Sequence, residues 1–280
     1  MVNKIILALS AFWAILFSIL KPLKTFGDIW FTLVIFVLTY AVQVGLYFFI
    51  VWLISLTIKK KEYDNFNKFY NFIFNITEEL VFDLARVTIE TKGIEKMPHN
   101  EKYLLVYNHK SKFDPMTQSV VLKKDHLIHI SKPENFKIPL AGNFALRNRY
   151  LPIDRNNARY ALITINKSAE MIEKGEASVG ISPEGTRNTK DGLLPFRAGS
   201  FKIALKSHCP IVVCTMRNCE KVHKNFPLQR TTTQMHVVEV IPYEKYKEMT
   251  TIEISKMVRK LMLDDLGIKE DKNNDELHII

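Results

Sequence analysis

Cysteine and glycine are both scarce in this sequence, with three cysteines and 10 glycines among 280 residues. Cys209, Cys214 and Cys219 match no common zinc-ligand spacing and are too few for a disulfide framework. They read as buried or free thiols of a reducing compartment. The glycines form neither a phosphate-cradling P-loop nor a dinucleotide-binding fingerprint. Ser111 lacks the Gly-x-Ser-x-Gly elbow that a lipid hydrolase of the serine type would need. Internal repeats, low-complexity segments and nucleic-acid motifs are absent as well. A metal site at His126 and His129 is disfavoured, because a separation of three on a strand turns the two rings to opposite faces and no carboxylate or cysteine completes a ligand set.

Acidic residues are the scarcer charge: 29 Asp and Glu stand against 39 Lys and Arg, a formal charge of +10. Six basic residues and one acid fall within residues 1–61, so this short segment carries half of the excess. A basic face attracts anionic lipid, nucleic acid or an acidic carrier protein. The segment's apolar character favours lipid. Ile5–Leu20 is an uncharged run of 16 residues that would span about 24 Å as a helix, short for a bilayer. Residues 29–58 form a second uncharged run of 30, about 45 Å as a helix, more than a hydrocarbon core needs. Two architectures stay open, a helical hairpin with both ends in the cytoplasm or one spanning helix preceded by an interfacial segment. Lys59-Lys60-Lys61 places the rest of the chain on the cytoplasmic side in either case and offers a contact to anionic lipid.

The remaining chain changes character twice. In residues 62–86, Phe66, Phe69, Tyr70, Ile73, Phe74, Leu80 and Leu84 recur at mainly helical spacing among polar residues. This predicts an amphipathic helix that lies on the membrane or caps the next domain. From residue 87, short apolar runs alternate with helical patterns. Strands are predicted at 87–91, 103–107, 126–131, 149–153, 178–182, 211–216 and 234–241, and helices at 116–124, 134–147, 158–174, 199–207 and 252–266. The alternation is that of an α/β domain, a largely parallel sheet flanked by helices. The expected organisation is therefore a membrane anchor of one or two hydrophobic helices (1–61), an amphipathic interfacial helix (62–86), a catalytic α/β domain (87–268) and a polar tail (269–280).

The stretch Asn108-His109-Lys110-Ser111-Lys112-Phe113-Asp114-Pro115 lies where the strand at 103–107 should end. Asp114 before Pro115 reads as a helix start, aspartate at the N-cap and proline in the first turn. His109 then lies on a strand-to-helix loop, where α/β proteins place their chemistry. An imidazole oriented by a carboxylate is a general base, since the carboxylate fixes the tautomer and stabilises the cation formed. Taken alone, these residues also fit a helix cap beside a solvated histidine.

Further blocks narrow the choice. The stretch resembles the Asn-His-x-Ser-x-x-Asp motif of the glycerolipid acyltransferase family. Ser131-Lys132-Pro133-Glu134, Ile138-Pro139-Leu140-Ala141-Gly142 and Leu151-Pro152-Ile153-Asp154-Arg155 resemble its second block. Ser182-Pro183-Glu184-Gly185-Thr186-Arg187, with Pro195-Phe196-Arg197-Ala198-Gly199 after it, resembles its third, and Cys209-Pro210-Ile211-Val212-Val213 its fourth. The blocks keep the family's order over roughly residues 87–216, and bacterial 1-acylglycerol-3-phosphate acyltransferases are the nearest match. Ser182 stands where the family usually carries an aromatic, and Val213 where it usually carries a second proline.

The resemblance implies an enzyme that transfers a fatty acyl group to the free hydroxyl of lysophosphatidic acid, giving phosphatidic acid. The donor would be an acyl thioester of coenzyme A or acyl carrier protein, and no cofactor or metal would be required. His109 would be the base and Asp114 its orienter. Glu184, Gly185, Thr186 and Arg187 would line the acceptor site, with Arg187 on the phosphate; Lys132 and Arg155 would assist. A guanidinium suits a phosphate because it offers paired, charge-assisted hydrogen bonds. Other lysophospholipids or glycerol 3-phosphate would use similar ligands. A non-catalytic lipid-binding protein would have no need of the histidine–aspartate pair.

Overall fold

The computed structural model describes residues 1–21, 25–155 and 157–269. Beyond Lys269, the expected polar tail lies outside the described residues. Three helices come first: α1 (Val2–Leu20), α2 (Phe26–Leu56) and α3 (Lys68–Leu84). The α/β part begins with β1 (Val87–Lys92), β2 (Leu104–Tyr107), α4 (Phe113–Val121), β3 (Leu127–Ser131), α5 (Ala141–Arg147), β4 (Leu151–Pro152), α6 (Ala158–Glu173) and β5 (Ser178–Ile181). It continues with α7 (Lys202–Ser207), β6 (Ile211–Arg217), α8 (Val222–Asn225), β7 (Thr231–Ile241) and α9 (Thr251–Leu266).

The seven strands form one sheet in the order β1-β7-β6-β2-β5-β3-β4. Neighbours run parallel except β6 and β7. The central strand β2 is buried at every residue, which is why it reads as a continuous apolar run rather than an alternating one. Its Leu104 and Val106 join Ile128, Val179 and Ile211 in a core closed by Ile254, Val258 and Met262 of α9. On the other face Leu105 and Tyr107 pack with Val212, Met235 and Val237, against Phe113 and Val121 of α4.

All seven predicted strands are present, within two to three residues of their expected ends. Two local expectations are corrected. The single helix expected over 134–147 is broken into a 3-10 turn at Pro133–Lys137 and α5. Pro139 causes the break: it holds Ile138 extended and lacks the N–H a helix would use, and Leu140 then turns through φ +65°. Asp114 is not the N-cap of α4. The cap is Lys112, and Asp114 sits inside the first turn with its carboxylate turned back toward the preceding loop. Pro115 is tolerated one residue later because first-turn N–H groups have no partner within the helix.

The helices α1 and α2 are each long and apolar enough to cross a membrane, and most of their surface is not covered by protein. They pack side by side, with Phe17 against Phe31 and Gln43 donating to Ser10. The helix α3 lies between α2 and the sheet domain. Its Asn67 side chain caps the first turn, accepting from the N–H groups of Phe69 and Tyr70. Tyr47 and Tyr70 bond across α2 and α3 to Thr77 and Thr57, at 2.9 and 2.8 Å, so the two helices are antiparallel. On its other side, α3 packs Phe82 against Phe113 and Phe74 against Tyr150. The amphipathic helix therefore covers the α/β domain, while Phe69 and Phe72 remain exposed.

Candidate active site

Loops at the ends of β2, β3, β4 and β5 converge at the carboxyl-terminal edge of the parallel strands, the usual position of a site in an α/β sheet. The strand β2 leads into Asn108, whose side chain takes the place of a strand backbone. Its amide donates to the carbonyl of Met216 at 3.0 Å and its oxygen accepts from the Met216 N–H at 2.7 Å. This fastens the start of the loop to β6 and sets the direction in which His109 leaves the sheet.

His109 is held from both sides of its backbone. Its N–H donates to Glu184 Oε1 at 2.7 Å, and its carbonyl accepts from the Asn188 N–H at 2.7 Å. Both partners lie on the loop after β5, some 75 residues further along the chain. The imidazole Nδ1 lies 2.9 Å from Asp114 Oδ2. That carboxylate oxygen also accepts the N–H groups of Lys110 and Ser111, at 2.7 and 2.8 Å. Asp114 is fully buried whereas the His109 side chain keeps 20 % exposure. Acting as an acceptor, the carboxylate fixes the proton on Nδ1 and leaves the Nε2 lone pair free to take a proton. The pairing that the sequence shows only to be within reach is thus a hydrogen bond, and three donors on one oxygen hold the orienting group in place.

A second histidine–carboxylate pair shows that the motif alone does not make a base. His236 Nδ1 lies 2.6 Å from Asp265 Oδ1, but Asp265 also accepts from Thr215 and Arg217. This cluster fastens α9 to β6 and β7, and it lies outside the four sequence blocks.

The remaining predicted residues divide into buried supports and open ligands. Glu184 is buried, and its two oxygens accept the N–H groups of His109 and Leu194. Burial pushes its carboxyl above the ordinary range, against the pull of those two donors. Both oxygens being engaged, Glu184 shapes the loop, and no Glu184–Arg187 ion pair forms among the described residues. Gly185 has φ +72°, and a Cβ there would lie 2.7 Å from Arg197 Nε. Glycine is required on both counts. Gly185→Ala is expected to cost about 1–3 kcal/mol through backbone strain and to displace Arg197, seen as a lower melting temperature together with a raised acceptor KM. Thr186 and Arg187 are exposed beside the Asn188–His109 bond, and Lys132 is exposed at the end of β3.

Arg155 is half-buried, and its guanidinium lies close enough to Arg197 and Tyr107 to feel both. Burial lowers its pKa and the neighbouring positive charge of Arg197 lowers it further. Neither arginine has an ion-pair partner among the described residues. Two guanidiniums that feel each other's charge, neither ion-paired among the described residues, form a site suited to an anion. Arg197 belongs to the Pro-Phe-Arg-Ala-Gly block, but the sequence reading does not single it out as a ligand. The available signal is a charged residue set between Phe196 and Ala198, both buried.

Beneath this loop His129 is packed between Tyr107 and Tyr150, with ring centroids 6.0 and 5.5 Å away, and neither of its nitrogens is hydrogen-bonded. Burial, reinforced by nearby His109, brings its pKa down to about 3. His126 instead shares a hydrogen bond with the Glu176 carbonyl at 2.7 Å. As pH falls below about 6.5 the unfolded chain protonates the residue-129 imidazole while the folded chain does not. Stability is therefore lost with falling pH, by about 1.4 kcal/mol per unit from this ring down to its folded pKa. Thermal melts at pH 7.5 and 5 should show a larger drop for wild type than for His129→Gln; equal drops would remove His129 as the cause.

An acyltransferase family model matches residues 88–217. The 1-acyl-sn-glycerol-3-phosphate acyltransferase alpha of Ovis aries is 28% identical over 184 residues, which is 64% of this chain and 63% of that protein. The 1-acyl-sn-glycerol-3-phosphate acyltransferase of Salmonella typhimurium is 31% identical over 140 residues, 50% of this chain and 55% of the relative. The chain thus spans between about half and two thirds of the length of these relatives. The crystal structure of the 1-acyl-sn-glycerophosphate acyltransferase PlsC from Thermotoga maritima superposes with a TM-score of 0.57 at 17% identity, over 81% of this chain and 91% of that one. At that identity the likeness is one of fold.

Proposed function

Since residues 88–217 are an acyltransferase-family domain, we propose that this chain transfers a fatty acyl group from a thioester to the free hydroxyl of lysophosphatidic acid, producing phosphatidic acid. The observation that carries the reading is the 2.9 Å pair of His109 and Asp114 set beside exposed Arg187 and the half-buried Arg155 and Arg197, neither of which has an ion-pair partner among the described residues. A base and an anion site share one sheet edge, as a phosphorylated alcohol acceptor requires.

His109 Nε2 takes the hydroxyl proton as the acceptor oxygen attacks the thioester carbonyl. A carbon–oxygen bond forms, the carbon–sulfur bond breaks, and the departing thiolate takes the proton back from His109. No covalent enzyme intermediate is needed. Asp114 holds the tautomer and offsets the charge of the imidazolium. Arg187, with Arg155 and Arg197 and with Lys132 at the rim, grips the phosphate and fixes the reach of the hydroxyl. The donor is a coenzyme A or acyl carrier protein thioester. The apolar α1 and α2 hold the enzyme on the membrane, with the catalytic domain on the cytoplasmic face.

Initial rates of thiol release test this. Lysophosphatidic acid is expected to be turned over at least 10-fold faster than monoacylglycerol of the same chain, which lacks only the phosphate. Equal rates would refute the phosphate site, and preference for glycerol 3-phosphate or lysophosphatidylcholine would reassign the acceptor.

A further inference from the structure

Among the described residues outside the N-terminal helices, the most exposed large apolar side chain is Leu228, at 83%. With Phe226, at 54%, it forms the tip of the connection between β6 and β7. That tip is held from behind: Arg86 donates to the carbonyls of Pro227 and Leu228 at 3.3 and 3.0 Å. Lys221, Lys224 and Arg230 are exposed around it, against a single acid, Glu220. An apolar tip ringed by cations is the composition of a segment that enters the headgroup region of an anionic bilayer.

Topology places this tip beside the active site. The strand β6 is parallel to β2, so its end at Arg217 lies at the same sheet edge as His109. The antiparallel β7 starts there, and the Thr231 N–H donates to the carbonyl of Arg86, just after the end of α3. The helix α2 continues past that point. Tyr47 meets Thr77, so counting back along the antiparallel pair brings the end of α3 level with about residue 40 of α2. Residues 26–39 therefore project beyond the α/β domain by about 21 Å. Among the described residues, exposure as high as that of Leu228 is approached only at the free end of this hairpin, by Leu20 and Phe26 at 76% and 75%. Tyr160, Leu162 and Ile163, also exposed, mark the same sheet edge on its other flank, in the first turns of α6. Lys59-Lys60-Lys61, the cluster expected from the sequence to meet anionic lipid, lies past the opposite end of α2.

We propose that residues 226–228 insert into the bilayer interface as a second anchor, with Lys221, Lys224 and Arg230 on anionic headgroups, so that the catalytic edge of the sheet faces the membrane. The insertion rests on the proposed membrane association of the hairpin, and not on the acyl-transfer chemistry. The three native cysteines are buried, so a spin label at Leu228→Cys is selective. Asn100→Cys, exposed before β2 at the far edge of the sheet, serves as the aqueous reference. In phosphatidylcholine–phosphatidylglycerol vesicles, the label at 228 is expected to favour collisions with oxygen over a water-soluble nickel chelate, and the label at 100 the reverse. Equal, aqueous behaviour at both positions would overturn the proposal. Neither label requires turnover, so a failed acyltransferase assay leaves this result intact. In an active preparation, Phe226→Ser with Leu228→Ser is expected to raise the apparent KM for vesicle-borne acceptor several-fold at unchanged kcat. An unchanged KM would contradict the anchor.

Discussion

His109→Ala in the membrane-bound protein is expected to lower acceptor-dependent thiol release by about 10²–10⁴-fold, the range contributed by a positioned general base. The residue keeps 20 % of its side chain open and carries no core load, so the melting temperature and the membrane-bound fraction should stay near wild type. Asp114→Asn is expected to lose a comparable factor by a different route. An amide can present N–H toward Nδ1 and so reverse the tautomer, placing the ring proton on Nε2, where the acceptor hydroxyl must be deprotonated. Because Asp114 Oδ2 also receives two loop N–H groups, this variant should lose some stability as well. The two losses are separable by measuring kcat on protein that sediments with vesicles and melts cooperatively. Wild-type turnover in His109→Ala would refute the assignment of the base.

The second large effect is expected at the phosphate. Replacing Arg187 by Ala removes a charged hydrogen-bond donor, worth about 1.5–3 kcal/mol, or roughly 10- to 150-fold in acceptor kcat/KM. Arg155→Ala and Arg197→Ala should act in the same direction, and together less than additively, since each relieves the repulsion felt by the other. The diagnostic feature is selectivity. Rates with a phosphate-free acceptor should change little, so the preference for the phosphorylated lipid collapses. Lysine at these positions keeps the charge but loses the planar fork, and is expected to restore only part of the activity. Equal losses on phosphorylated and unphosphorylated acceptors would assign the arginines a structural role.

The strands are legible because a sheet covered on both faces writes itself as uninterrupted apolar runs, as Leu104–Tyr107 and Ile211–Met216 do. The pair His109 and Asp114 is legible because the two residues are close in sequence. What escapes depends on contacts between distant parts of the chain. Glu184 bonds the backbone of His109 across 75 positions, and Asn108 completes the edge of β6 across 108. Arg197 reaches the site because Gly185 has no side chain to hold it off, a relation visible only when both backbones are placed. The broken helix at Ile138–Leu140 is foreshadowed by Pro139, but the periodicity on either side conceals it. The N-cap of α4 is misplaced in the sequence reading because Asp114 satisfies N–H groups before the helix rather than within it. The buried ring of His129, unbonded at both nitrogens, has no local signal at all.

Direct transfer between two bound substrates by a histidine base is tested most directly by stoichiometry. Wild-type protein in vesicles is given an acyl thioester with and without lysophosphatidic acid, while thiol, phosphatidic acid and free fatty acid are measured together. The prediction is one phosphatidic acid per thiol, little release without acceptor, and no acyl group retained on the protein after quenching. Thiol release matched by free fatty acid in the absence of acceptor, or an acylated protein, would contradict the account.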